Sequence, residues 1–132
     1  MLTEVKTNKI KAEIKQVALD HLHAKDAKDA LSYFSEDIIA VSNEKLFVSF
    51  KALADDVNEY YTILKEVHVA SWDDINIQII NRNTATFIAK FRYSYSNIND
   101  EKIDLRGIWT ALYVCEKSDW KIRLRHESFT QI

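Results

Sequence analysis

The sequence predicts an α+β fold: three N-terminal helices on the concave, aromatic face of a strongly curved, mostly antiparallel sheet. Three observations carry this. Up to Lys65, apolar residues recur at helical spacing. After Lys65 the period becomes two. Short clusters of Asn and Asp then punctuate the alternating runs, as turns do. Helices segregated from strands mean that the helices cover one face of the sheet.

The elements follow in order. Ile10, Ile14, Val17, Ala18 and His21 form one stripe of a helix over about Lys9 to Ala24. Asp26 is a good N-cap for a short second helix, whose apolar positions are Ala27, Ala30, Leu31 and Phe34. The run from Asp37 to Ser42 reads as a strand and Asn43-Glu44-Lys45 as a turn. Ser49 caps a third helix with the stripe Phe50, Leu53, Val57, Tyr61 and Leu64. Val67 to Ile80 is one long strand, or two with a break near Trp72-Asp73-Asp74. Thr84 to Tyr95 follows the turn Asn81-Arg82-Asn83, Ile103 to Cys115 follows the turn 97–100, and Trp120 to Phe129 follows the turn 116–119.

At 132 residues the chain is one domain's worth of protein, and 47% apolar content supplies its core. It has 1 Gly and 0 Pro, where average usage gives about 9 and about 7. Glycine-rich phosphate loops and the dinucleotide fingerprint need several glycines, so both are excluded, as is a Gly-x-Ser-x-Gly elbow. The net charge is −2, and the nearest thing to a basic stripe is Lys121, Arg123 and Arg125; no nucleic-acid partner is expected. Cys115 is the single cysteine and lies in an apolar run, so no internal disulfide forms. His21 and His23 lie about 200° apart around a helix, and no cluster has metal-ligand spacing, so no metal or other cofactor is expected. The first residues contain no apolar signal region and no window suits a membrane span, which points to a cytoplasmic protein.

The last hairpin sets a register. A turn at 116–119 pairs Cys115 with Trp120, and a regular ladder then sets Trp109 opposite His126. One face carries Leu105, Trp109, Tyr113, Trp120, Ile122, Leu124 and His126, joined by Phe87, Phe91 and Tyr93, and is assigned to the helices. The other carries Ile88, Ile108, Leu112 and Val114 among Lys90, Arg92, Arg123 and Arg125. That face is too apolar for bulk water and is expected to pack on a second copy as a homodimer.

Arg106-Gly107-Ile108-Trp109-Thr110, a short hairpin, then Trp120-Lys121-Ile122 and His126-Glu127-Ser128, resemble the closing strands of SnoaL-like proteins. Asp26 with Leu31 to Asp37 resembles the same group's second helix running into its first strand. Over Ile10 to Phe129 the chain thus resembles the nuclear transport factor 2-like superfamily, which includes ketosteroid isomerase. The resemblance implies a cone-shaped fold. It also subtracts: Ser42 stands where ketosteroid isomerase has its proton-shuttling Asp, and Ala18 where that enzyme has its oxyanion Tyr. Steroid-type isomerisation is therefore not expected. Ser49-Phe50 replaces the usual glycine before the third helix.

His126 is the candidate acid–base residue, expected to point into the cone; a structural role inside the sheet, a ligand-bonding role and a catalytic role all remain open for it. Tyr33, Tyr61, Phe91, Tyr93 and Trp109 are the candidate pocket wall, with tyrosine hydroxyls to orient a ligand. The acid pairs Asp55-Asp56 and Asp73-Asp74 are read as solvated charge. The expected function is binding of a small hydrophobic or aromatic molecule, with cofactor-free isomerase, cyclase or dehydratase chemistry as an extension. The alternative is a non-catalytic homodimerisation or partner-binding module whose cone is filled by its own side chains.

Overall fold

A computed structural model describes residues 2–132. Helices α1 (Glu4–Leu22), α2 (Ala27–Leu31) and α3 (Phe50–Ile63) interleave with strands β1 (Phe34–Ser42) and β2 (Lys45–Phe47); β3 (Leu64–Asn81), β4 (Thr84–Asn97), β5 (Lys102–Glu116) and β6 (Asp119–Gln131) follow. The sheet order is β2-β1-β6-β5-β4-β3. Only the β1–β6 pair is parallel, and the sheet does not close into a barrel.

Each helix starts where a side chain satisfies an orphan amide. Asp26 Oδ1 accepts from Asp29 N at 2.7 Å. Ser49 Oγ accepts from Ala52 N at 3.1 Å. Thr3 Oγ1 accepts from Lys6 N at 3.2 Å, which starts α1 at Glu4, earlier than the apolar stripe indicates. After the turn at Asn43, Lys45–Phe47 folds back as β2, a strand too short and too exposed for periodicity to reveal. The long β3 is continuous, with an irregularity between Asp73 and Asn76 where Asp74 takes φ 51°.

With one glycine, left-handed backbone falls to other residues. Asn43, Asp74, Asp100, Lys117 and Ser118 all have positive φ. The glycine is spent elsewhere. A Cβ on Gly107 would lie 2.0 Å from the Ser128 carbonyl oxygen and 2.8 Å from Phe129 Cα.

The register of β5 against β6 departs from expectation. Cys115↔Trp120 and Tyr113↔Ile122 pair as anticipated, but Leu112 then pairs with Leu124. Arg123 is an extra residue, a β-bulge. Because side chains alternate, one extra residue exchanges the faces beyond it. Leu124 and His126 turn outward; Arg125, Glu127 and Phe129 turn inward, beside Ala111, Trp109 and Gly107. The expected inward face holds for Trp109, Tyr113, Trp120 and Ile122, all buried, and fails for Leu124 and His126. Arg125, expected outside, is 7% exposed.

Two stability outcomes follow. Gly107→Ala should cost about 3 kcal/mol or more by urea unfolding, because the clashing atoms are backbone. Lys117→Asn with Ser118→Gly should add about 1 kcal/mol, because both positions need φ > 0 in a two-residue hairpin loop.

Candidate functional site

Between α1, α2, α3 and the inner face of the sheet lies a cleft of about 470 Å³. Its walls are aromatic for a local reason. The alternation of β4 directs Phe91, Tyr93 and Tyr95 to one side, β5 adds Trp109 and β3 adds Trp72. The stripe of α3 lowers Val57, Tyr60 and Tyr61 onto them. Trp72 is fixed by donating from Nε1 to the Ala18 carbonyl at 3.0 Å, and its ring lies 5.1 Å from that of Trp109.

Three polar groups interrupt this wall. The Tyr60 and Tyr93 hydroxyls share a hydrogen bond of 2.6 Å. Burial, then the bond from Tyr93, pushes Tyr60 far above the usual phenol range. Burial also raises Tyr93, with the Tyr60 bond acting against it. The phenol of Tyr61, chiefly through burial, is pushed up to about 12. These phenols stay neutral and serve as hydrogen-bonding groups.

The second group is His21, on the cleft-facing end of α1. Its ring packs edge-on to Tyr33 and Phe34 at 5.5 and 5.1 Å, and lies 5.8 Å from Trp109. Its Nδ1 is sealed without a partner. Burial, then the charge of Arg125, lowers its pKa to about 4 against the opposing pull of Asp29. His21 is thus a neutral imidazole near pH 7.

The third group lies on the inward side of β6 and the end of β1. Ser42 Oγ donates to Glu127 Oε2 at 2.6 Å. The same carboxylate oxygen is 3.9 Å from an Arg125 terminal nitrogen, and the guanidinium lies 6.0 Å from the Phe34 ring centre. Arg125 Nε has no acceptor among the described residues. Alanines at both sheet neighbours, Ala40 on β1 and Ala111 on β5, leave room for this side chain indoors.

No family model matches the sequence, and no curated protein matches it. Solved structures do. A provisionally named scytalone dehydratase from Novosphingobium aromaticivorans superposes with a TM-score of 0.86 at 15% identity, covering 96% of this chain and 88% of its own. A hexachlorocyclohexane dehydrochlorinase of type 2 gives 0.79 at 13% identity, over 98% and 93%. A nuclear transport factor 2-like protein of unknown function from Pseudomonas putida gives 0.74 at 16% identity, over 92% and 87%. The chain has the nuclear transport factor 2-like fold.

Within this nuclear transport factor 2-like frame the sequence-based candidates divide. Tyr61, Phe91, Tyr93 and Trp109 line the cleft. Tyr33 stands behind His21 and does not line it. His126 faces outward and is exposed, because the bulge at Arg123 reverses its direction. Ala18 is buried in the core, and Ser42 lines the cleft as a donor to Glu127. Sequence reasoning missed Arg125 and Glu127 through the same bulge. His21 was already visible on the apolar stripe of α1, where a polar ring signals an interior role.

The depressed pKa of His21 makes a pH prediction. The unfolded chain protonates it below about 6.5, while the folded chain resists until about 4. Stability is therefore lost as pH falls across that window. His21→Phe should lose about 2 kcal/mol less than the wild type between pH 7 and pH 4, by urea unfolding at each pH.

Proposed function

We propose that the cleft binds a compact, largely apolar molecule carrying an aromatic or similarly flat body. The observation that carries this reading is the cleft itself: about 470 Å³ walled by Trp72, Phe91, Trp109 and the α3 tyrosines, with polar atoms at fixed points. Ligand sites typically have this form, a concave apolar wall with a few convergent polar groups. This space favours the reading over a cone filled by its own side chains.

The cleft's own side chains supply acid–base and hydrogen-bonding groups. Glu127 is the acceptor that can take a proton from a bound molecule, and the Ser42 hydroxyl orients it. Neutral His21 and the paired tyrosines offer hydrogen bonds to a carbonyl or hydroxyl. Such a set suits proton transfer in isomerisation, cyclisation or elimination of water. The names of two structural neighbours, a dehydratase and a dehydrochlorinase, belong to eliminations and support that class here. Ser42, standing where the resemblance puts the steroid isomerase's proton-shuttling Asp, speaks against that arrangement.

The opposite sheet face supports a second copy of the chain. Ile39, Ile88, Ile108 and Leu124 are each 39–47% exposed there, a group of large aliphatic side chains on one face. Light scattering at micromolar concentration should give about twice the monomer mass, and Ile108→Asp should return it to the monomer.

The cleft is tested with Nile red, a neutral aromatic dye that brightens in apolar surroundings. The wild type should enhance its fluorescence saturably. Val57→Trp, which fills the cleft from α3, should weaken binding about tenfold or more while circular dichroism stays unchanged. Equal binding by both proteins would remove the cleft as the site.

A further inference from the structure

We propose that the inner wall of the cleft is a seat for a planar oxyanion, with Arg125 holding the charged end, so that the ligand class is an aromatic or compact apolar carboxylate. This rests on the reading of the cleft as a binding site and names what it takes.

A guanidinium carries five N–H donors and stays charged. Burying one is costly unless oxygens surround it. Arg125 is 7% exposed, yet its Nε meets no acceptor, and its nearest carboxylate oxygen stands at 3.9 Å, beyond hydrogen-bond reach. Arg125 lines the cleft, and among the described residues no protein oxygen is within hydrogen-bond distance of its terminal nitrogens, which leaves them as donors for a molecule inside it.

Glu127 pairs with Arg125 in charge at 3.9 Å but gives its N–H groups no hydrogen bond. Its Oε2 already accepts the Ser42 hydroxyl at 2.6 Å, which holds the carboxylate toward β1. The remaining titratable neighbours do not neutralise the guanidinium. His21 is uncharged near pH 7, the phenols of Tyr60, Tyr61 and Tyr93 stay protonated, and the Asp56 carboxylate, which lines the cleft from α3, makes no ion pair with Arg125. Arg125 is thus largely shielded from bulk water and short of protein acceptors. A carboxylate entering the cleft would meet donors on a largely buried guanidinium, and charge-assisted, two-point bonds to such a group are strong. The rest of the cleft, aromatic on five strands and a helix, takes the hydrocarbon body.

The test uses three probes of one shape and different charge: naphthoate, naphthylmethanol and naphthylmethylammonium, titrated calorimetrically into the full chain at pH 7. The acid should bind about tenfold tighter than the alcohol, and the ammonium weakest. Arg125→Met should lower the acid to the level of the alcohol while leaving the alcohol's affinity unchanged. Glu127→Gln, which removes the competing negative charge, should tighten the acid further. Should Arg125→Met fail to fold, the wild-type order and Glu127→Gln decide. Binding of all three probes with equal affinity, or tightest binding of the ammonium, would overturn the oxyanion seat and leave the cleft standing. Binding of none would overturn the cleft reading, and this one with it.

Discussion

The extra residue at Arg123 is the constraint on which the interior of this molecule depends. Strand side chains alternate strictly, so a single inserted position reverses everything beyond it. Before the bulge, Trp120 and Ile122 are core residues in the anticipated register. Beyond it, a charged pair, Arg125 and Glu127, enters the cone, and Leu124 and His126 leave it. The irregularity is supported from the neighbouring strand. Between Phe34 and Ile39, β1 departs from even pairing against the stretch of β6 that carries the bulge. Arg123 itself donates to the Asp37 carbonyl across that gap. Local pairing, not a catalytic motif, thus decides which chemistry faces inward.

The same economy appears in the backbone. A chain with one glycine places it where a Cβ would strike the neighbouring strand, at Gly107 beside Phe129, and leaves the turns to Asn, Asp, Lys and Ser. The cost is several strained turn residues; the gain is a close β5–β6 contact beside the cleft. That contact sets the position of Phe129, which forms part of the cleft wall and meets Phe91 at 6.3 Å.

How far the sequence could be read follows from the physics of each signal. Helical stripes and capping residues are local, so α2 and α3 emerge with their caps at Asp26 and Ser49. Period-two alternation is equally local, so β4 and its inward aromatics Phe87, Phe91 and Tyr93 were legible. The parallel pairing of β1 with β6 depends on distant partners, and no pattern within either strand encodes it. A bulge is harder still. The run Ile122-Arg123-Leu124-Arg125-His126 alternates well in either register, so pattern alone sets His126 inward and Arg125 outward, and the structure has the reverse. For His21 the place on the α1 stripe is local and legible, but the aromatic cage of Tyr33, Phe34 and Trp109 around it exists only after folding.

The most direct measurement of this account is thiol labelling along β6. In a Cys115→Ser background, single substitutions Arg125→Cys and His126→Cys place reporters on adjacent residues. A maleimide should modify position 126 at the rate of an exposed peptide thiol and position 125 far more slowly. The opposite order, with 125 fast and 126 protected, would mean that β6 runs without its bulge and that the charged pair lies outside the cone.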